Sequence, residues 1–147
     1  MSAASNYTED RTLDFWLKNN SQSTSSPSTV FLALFTSDDS TGGTAENLEA
    51  GTLTNEVTTS GTSYARQSVS FGTISNGSVS NSGNVTFPAA TANYGTVTHV
   101  AVMDANSTDD SAGAGNVLFY GALTSAKTIE SGDTFQITTG NLTVSLA

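Results

Sequence analysis

The stretch TVTHVAVMDA, residues 96 to 105, carries the chain's one histidine, His99, with Asp104 five residues later. An imidazole held by a carboxylate is the core of a general base, and a nearby serine would complete a nucleophilic triad. Carboxylates also gather in SDD at 37 to 39 and NSTDD at 106 to 110. Several oxygens on loop backbone suit a hard cation such as calcium, but neither stretch has the D-x-[DN]-x-[DN]-G spacing, and solvated turn acids are the simpler reading. Arg66, in SYARQSVSFG, stands mid-strand in a chain with four Lys and Arg in all. An arginine there pairs with a carboxylate, either inside the domain or across a subunit contact. Tyr64, Tyr94 and Tyr120 are candidate interface aromatics on the same grounds, and Trp16 is a fourth. Phe119 is explained as well by core packing.

The backbone beneath His99 decides its chemistry. Residues 96 to 104 read as a strand, in which neighbours alternate faces, so Val97, His99, Ala101 and Met103 share one face and Val100, Val102 and Asp104 the other. At ~3.3 Å per residue, His99 and Asp104 lie ~16 Å apart. They do not form a pair, and the chain is not expected to be an enzyme.

The other elements follow from punctuation. Thr8 is a candidate cap, Glu9 and Asp10 suit a helix start, and Leu13, Trp16 and Leu17 fall at i, i+3 and i+4, so a short amphipathic helix is expected over 9 to 18. It either caps an open end of a sheet or serves as a docking arm. The polar stretch NNSQSTSSPS ends this N-terminal arm, residues 1 to 28. From residue 29 to 147 a single β-domain is expected, with strands near 29–36, 62–71, 73–79, 83–88, 96–104, 116–123, 127–130 with 133–138, and 141–146. TVFLALFT is apolar on both faces and reads as buried. The polar run SDDSTGGTAENLEAGTLTNEVTTSG is expected to be irregular. Asn76-Gly77 marks a hairpin, and the ending TIESGDTFQITTGNLTVSL reads as another, with Phe135, Ile137, Leu142, Val144 and Leu146 facing the core. With no second helix to cross between parallel strands, the fold class is an all-β, antiparallel sandwich of jelly-roll type.

Composition narrows the partners. A chain of 147 residues can bury roughly 70% of its unfolded surface, so it holds a core without staples. It has no cysteine, hence no disulfide and no thiolate metal site, and no cofactor is expected. Thirteen acidic residues against four basic ones give a net charge of −9. Such a surface repels phosphate, and the four cations are scattered, so nucleic acid is excluded as a direct partner. The longest apolar run, VFLALF, is far short of the ~20 residues of a membrane span, and MSAASNYTED lacks the pattern of a signal peptide. Synthesis in a cytoplasm and no membrane partner are expected.

The elements LALFTSD (32–38), SYARQSVSFG (63–72), VTFPAATANYGTVTHVAVMDA (85–105) and GNVLFYGALTSAKTIESGDTFQITTGNLTVSL (115–146) resemble a group of small virion proteins of tailed bacteriophages, commonly labelled phage tail fibre proteins. The resemblance runs from Val30 onward, with ENLEAGTLTNEV and NSTDDSAGAG standing as insertions against the pattern. It implies a structural virion protein without catalytic residues. A fibre with a shaft would show internal repeats, which this sequence lacks, so the first expectation is a capsid decoration, or cement, protein. It would bridge major capsid subunits on the outer shell, as a homo-oligomer and first of all a trimer. The second expectation is a tail fibre or tail-tip domain that recognises a host-surface receptor.

Overall fold

The computed structural model describes residues 3–18, 26–37, 43–107 and 114–146. Its elements run β1 (Ala3–Ala4), α1 (Asn6–Leu17), β2 (Val30–Thr36), α2 (Gly43–Glu49), β3 (Gln67–Val69), β4 (Ser78–Ser80), β5 (Val85–Thr86), β6 (Gly95–Met103), β7 (Val117–Ile129), β8 (Gln136–Ile137) and β9 (Thr143–Ser145). Five strands form one sheet in the order β1-β7-β6-β2-β3, while β4 pairs with β9 and β5 with β8 in two small ribbons. Every pairing is antiparallel. The result is an all-β sandwich, as the strand punctuation led us to expect.

The VFLALF segment explains the layering. Leu32 and Leu34 point into one core, shared with Tyr64, Phe87, Tyr94, Val97, Val100 and Val144, and this core lies under the ribbons. Ala33 and Phe35 point into a second core, with Leu48, Leu53, Ala101, Met103 and Val117. A strand covered on both faces must be apolar at every position, and burying each large side chain stabilises by about 1.5–3 kcal/mol.

The second core corrects the sequence reading, because helix α2 covers it. The polar run expected to be irregular contains this helix, with Thr44 and Leu48 buried at i, i+4 and the Thr44 hydroxyl donating 2.9 Å to the Thr36 carbonyl. Helix α1 is shifted too. It spans 6 to 17, not 9 to 18, and Ser5 is the cap, its hydroxyl accepting from the Thr8 N–H. Upstream of it, β1 pairs Ala3 and Ala4 with Tyr120 and Phe119, which ties the start of the arm into the sheet.

Strand β6 departs from strict alternation. The register with β7 slips between Val97 and His99, so Val97 joins Val100 and Val102 in the first core while Ala101 and Met103 face the second. The slip moves Val97 away from the face assigned to it by simple alternation. On the other strand the same slip leaves Leu123 to Ala126 without β6 partners, since Val97 pairs with Lys127 and His99 with Ala122. The two segments expected at 116–123 and 127–130 are therefore one bulged strand.

The Asn76-Gly77 hairpin forms as expected. Both residues have positive φ, 51° and 71°, and Ser75 bridges Ser78. The C-terminal hairpin does not form. Asn81, 2% exposed, sits between the two segments: its amide donates to Thr138 O and its side-chain oxygen accepts from Leu142 N at 2.9 Å. These bonds occupy groups that a ladder between β8 and β9 would need, and each strand pairs elsewhere. Leu142 and Val144 reach the core, whereas Leu146 is 58% exposed.

Candidate interaction surface

Each residue singled out in the sequence now has a place. Arg66 is 3% exposed, and it takes the intrachain option. Its Nε and Nη2 donate to the two Glu56 carboxylate oxygens at 2.8 and 2.7 Å, and its Nη1 donates to the carbonyls of Ala105 and Ala114 at 2.9 and 2.7 Å. The planar fork matches the carboxylate, which no lysine could do. Tyr64 completes the cluster by donating 2.9 Å to Glu56 and accepting from the Leu34 N–H at 3.0 Å. Burial, then the neighbouring Glu56 charge, push the Tyr64 phenol well above its ordinary range.

Tyr64 stacks on Phe87 and meets Tyr94 edge-on, and Tyr94 hydrogen-bonds Ser63 and the Pro88 carbonyl. Tyr64, Tyr94 and Arg66 thus lie inside the chain, and as interface residues they are corrected: packing of the ribbons on the sheet uses them. The cluster is a structural lock that ties the loop at 56, the strand entry at 66 and the loop ends at 105 and 114 together. Sequence reasoning missed Glu56, because a partner ten residues away across an irregular segment leaves no periodic signal.

His99 lies beside Thr98, its Nδ1 2.9 Å from the Thr98 hydroxyl, and burial lowers its pKa. Asp104 serves elsewhere, accepting from the Asn116 backbone at 2.6 Å and side chain at 2.8 Å. The two do not meet. No group of three or more His, Asp or Glu side chains among the described residues could hold a metal ion. The acids at 38–39 and 109–110 considered for calcium lie outside the described residues, as does the rest of the segment 108–113.

Trp16 and Tyr120 remain at the surface. Tyr120 packs partly on the second core and donates 3.3 Å to Glu49 on α2; burial and then Glu49 raise its pKa. Trp16 is 75% exposed, Leu17 76% and Leu13 54%, and no residue of α1 is buried. The helix is nonetheless fixed at its start. Ser5, fully buried, donates from its hydroxyl to the Val117 carbonyl, and Thr8 donates 2.8 Å to the Leu118 carbonyl. Helix α1 therefore projects an apolar stripe from a rigid hinge at one end of β7, which makes it the chain's most conspicuous interaction surface. No helix among the described residues is long and apolar enough to cross a membrane.

The far end of β7 is polar. Around Ile129 the exposed residues Thr91, Asn93, Glu130, Ser131 and Asp133 hold one another: Ser131 donates to Asn93 and Thr91, and the Glu130 N–H donates 2.9 Å to Asp133. At ~3.3 Å per residue the thirteen residues of β7 put these two ends up to ~40 Å apart.

Comparison with known proteins adds one finding. The family model described as Podophage GP4 fiber I protein gp80 matches residues 3–145. No curated protein matched the chain.

Proposed function

The chain belongs to the family of the podophage GP4 fiber I protein gp80, and from that premise we propose that it is a tail fibre or tail-tip component that recognises a host-surface receptor. A structural protein of the phage virion is what the family describes, and it favours the second of the two expectations over capsid cement. The observation that carries the reading is the match itself, which spans both helices, the sheet and both ribbons. The geometry supports it. A sandwich separates an apolar, helical end from a polar end where the side chains of Asn93, Ser131 and Asp133 hydrogen-bond loop backbone. Recognition sites gather on loops carried by such scaffolds. The asparagine, serine and carboxylate groups held in this way, with the exposed Thr91 beside them, match the hydroxyls of a surface glycan or the polar groups of a protein receptor.

Competition tests the proposal. Purified full-length chain, added to host cells before phage, should reduce phage adsorption. A variant with Thr91→Lys and Glu130→Lys should lose that effect while keeping the same circular dichroism. If the chain leaves adsorption unchanged but coats phage shells and raises their heat resistance, cement is the correct function.

A further inference from the structure

We propose that helix α1 of one copy docks its Leu13–Trp16–Leu17 stripe into the groove between β7 and β9 of a second copy. The groove exists because the last strands do not pair with the sheet. Strand β9 pairs with β4 and β8 with β5, so the sandwich stays open beside the β7 segment that bulges away from β6. Its walls mix apolar side chains, Leu123, Ile137 and Leu142 among them, with the polar Thr124, Asn141 and Thr143. Its volume is about 250 Å³, below the roughly 300–1,000 Å³ of pockets that enclose a drug-sized molecule, so it fits side chains from a partner surface.

Charge points to the occupant. The groove continues into a depression that shares Leu123, Ile137 and Asn141 and is edged by Lys127. Among the described residues Lys127 is the one cation with no partner: Arg66 is paired with Glu56, Lys18 with Asp14, and Arg11 lies over the Tyr7 ring. Helix α1 brings Glu9 and Asp10 alongside its apolar stripe, while Asp14 is paired with Lys18, so the helix complements a partly apolar groove edged by one lysine. A net charge of −9 disfavours any contact between copies that does not use the few cations available.

The contact must form in trans. Ser5 and Thr8 hold the first turn of α1 to the carbonyls of Val117 and Leu118, and its exposed stripe does not fold back on its own body. Phe119 and Tyr120 both line the groove, Phe119 packing with the first core and Tyr120 with the second, near Glu9 and Glu49. Two complementary surfaces on one chain, kept apart by that chain, join copies reciprocally or in a ring. The docking helix lies at the opposite end of β7 from the loops proposed for host recognition, although the groove's rim at Lys127 reaches to within two residues of Ile129.

Trp16 is the only tryptophan in the chain, so its fluorescence reports on α1 alone. Sedimentation of the full chain should give a mass of two or more copies with blue-shifted emission, and both should revert together on dilution. Leu123→Asp should raise the midpoint concentration at least about tenfold by placing a carboxylate against the groove's apolar side chains. Lys127→Glu, at an exposed position where folding is safe, should raise it about threefold or more, with the effect shrinking in high salt. Adding Asp10→Lys to Lys127→Glu should restore part of the loss. A monomer with solvent-exposed emission at all concentrations overturns the proposal. So does an oligomer that buries Trp16 yet ignores Lys127→Glu, because the helices would then be packing on one another.

Discussion

Replacing Arg66 by Met should be among the most damaging single substitutions in this domain. The guanidinium has no solvent exposure, the Glu56 side chain has 5%, and the pair closes at 2.7 Å. Removing the cation leaves a buried carboxylate without its counter-charge and the carbonyls of Ala105 and Ala114 without donors. Breaking a buried pair on one side costs about 3–5 kcal/mol. With about 2–4 °C per kcal/mol for a domain of this size, the melting temperature should fall by roughly 6–20 °C. Arg66→Lys should fall between, at about 1–3 kcal/mol, because an ammonium keeps the charge but cannot span both oxygens and both carbonyls. The double variant Arg66→Met with Glu56→Leu should be more stable than Arg66→Met alone by about 1 kcal/mol or more, since no orphaned charge remains. Urea unfolding followed by far-ultraviolet circular dichroism is the assay, because Trp16 lies outside the core and reports poorly on it. A cost below about 1 kcal/mol for Arg66→Met, or strictly additive effects in the double variant, would refute the lock.

Three further outcomes follow from the same structure. Burial raises the Tyr64 phenol above its ordinary 10.0, so the unfolded chain releases this proton first; stability should be full below pH 10 and fall as pH rises beyond it, and Tyr64→Phe should flatten that fall in alkaline melts. His99 has the opposite sign: burial lowers it from 6.5, so its contribution is present above that pH and declines as pH falls through the lowered value, a decline that His99→Asn should abolish in acid titrations. Asn81→Leu would strip the bonds to Thr138 and Leu142 and should cost about 2–4 kcal/mol, with amide exchange quickening first at Gly140 to Leu142.

What the sequence disclosed depended on whether a signal was local. VFLALF announced a strand buried on both faces, because only a two-sided environment tolerates six apolar residues in a row. Asn76-Gly77 announced its hairpin through the positive φ that both positions need. The spacing of Leu13, Trp16 and Leu17 announced α1, although its cap lies three residues earlier, where Ser5 is buried against β7 and Thr8 is not. Non-local pairings were hidden. The two final strands alternate like a hairpin, yet Asn81 takes up the groups they would share, and that competition is invisible from either segment alone. Glu56 lies in an acidic stretch that looks solvated until Arg66 folds over it. The segments expected at 116–123 and 127–130 are one strand, and the residues between them lose their β6 partners in a bulge, which only the pairing with β6 reveals.

The location and copy number of the chain in the virion test the account most directly. Electron cryomicroscopy of particles carrying a tag on this chain should show it in a few copies at fibre positions of the tail. Density at every lattice position of the shell, in hundreds of copies, would contradict the fibre reading and return the molecule to capsid decoration.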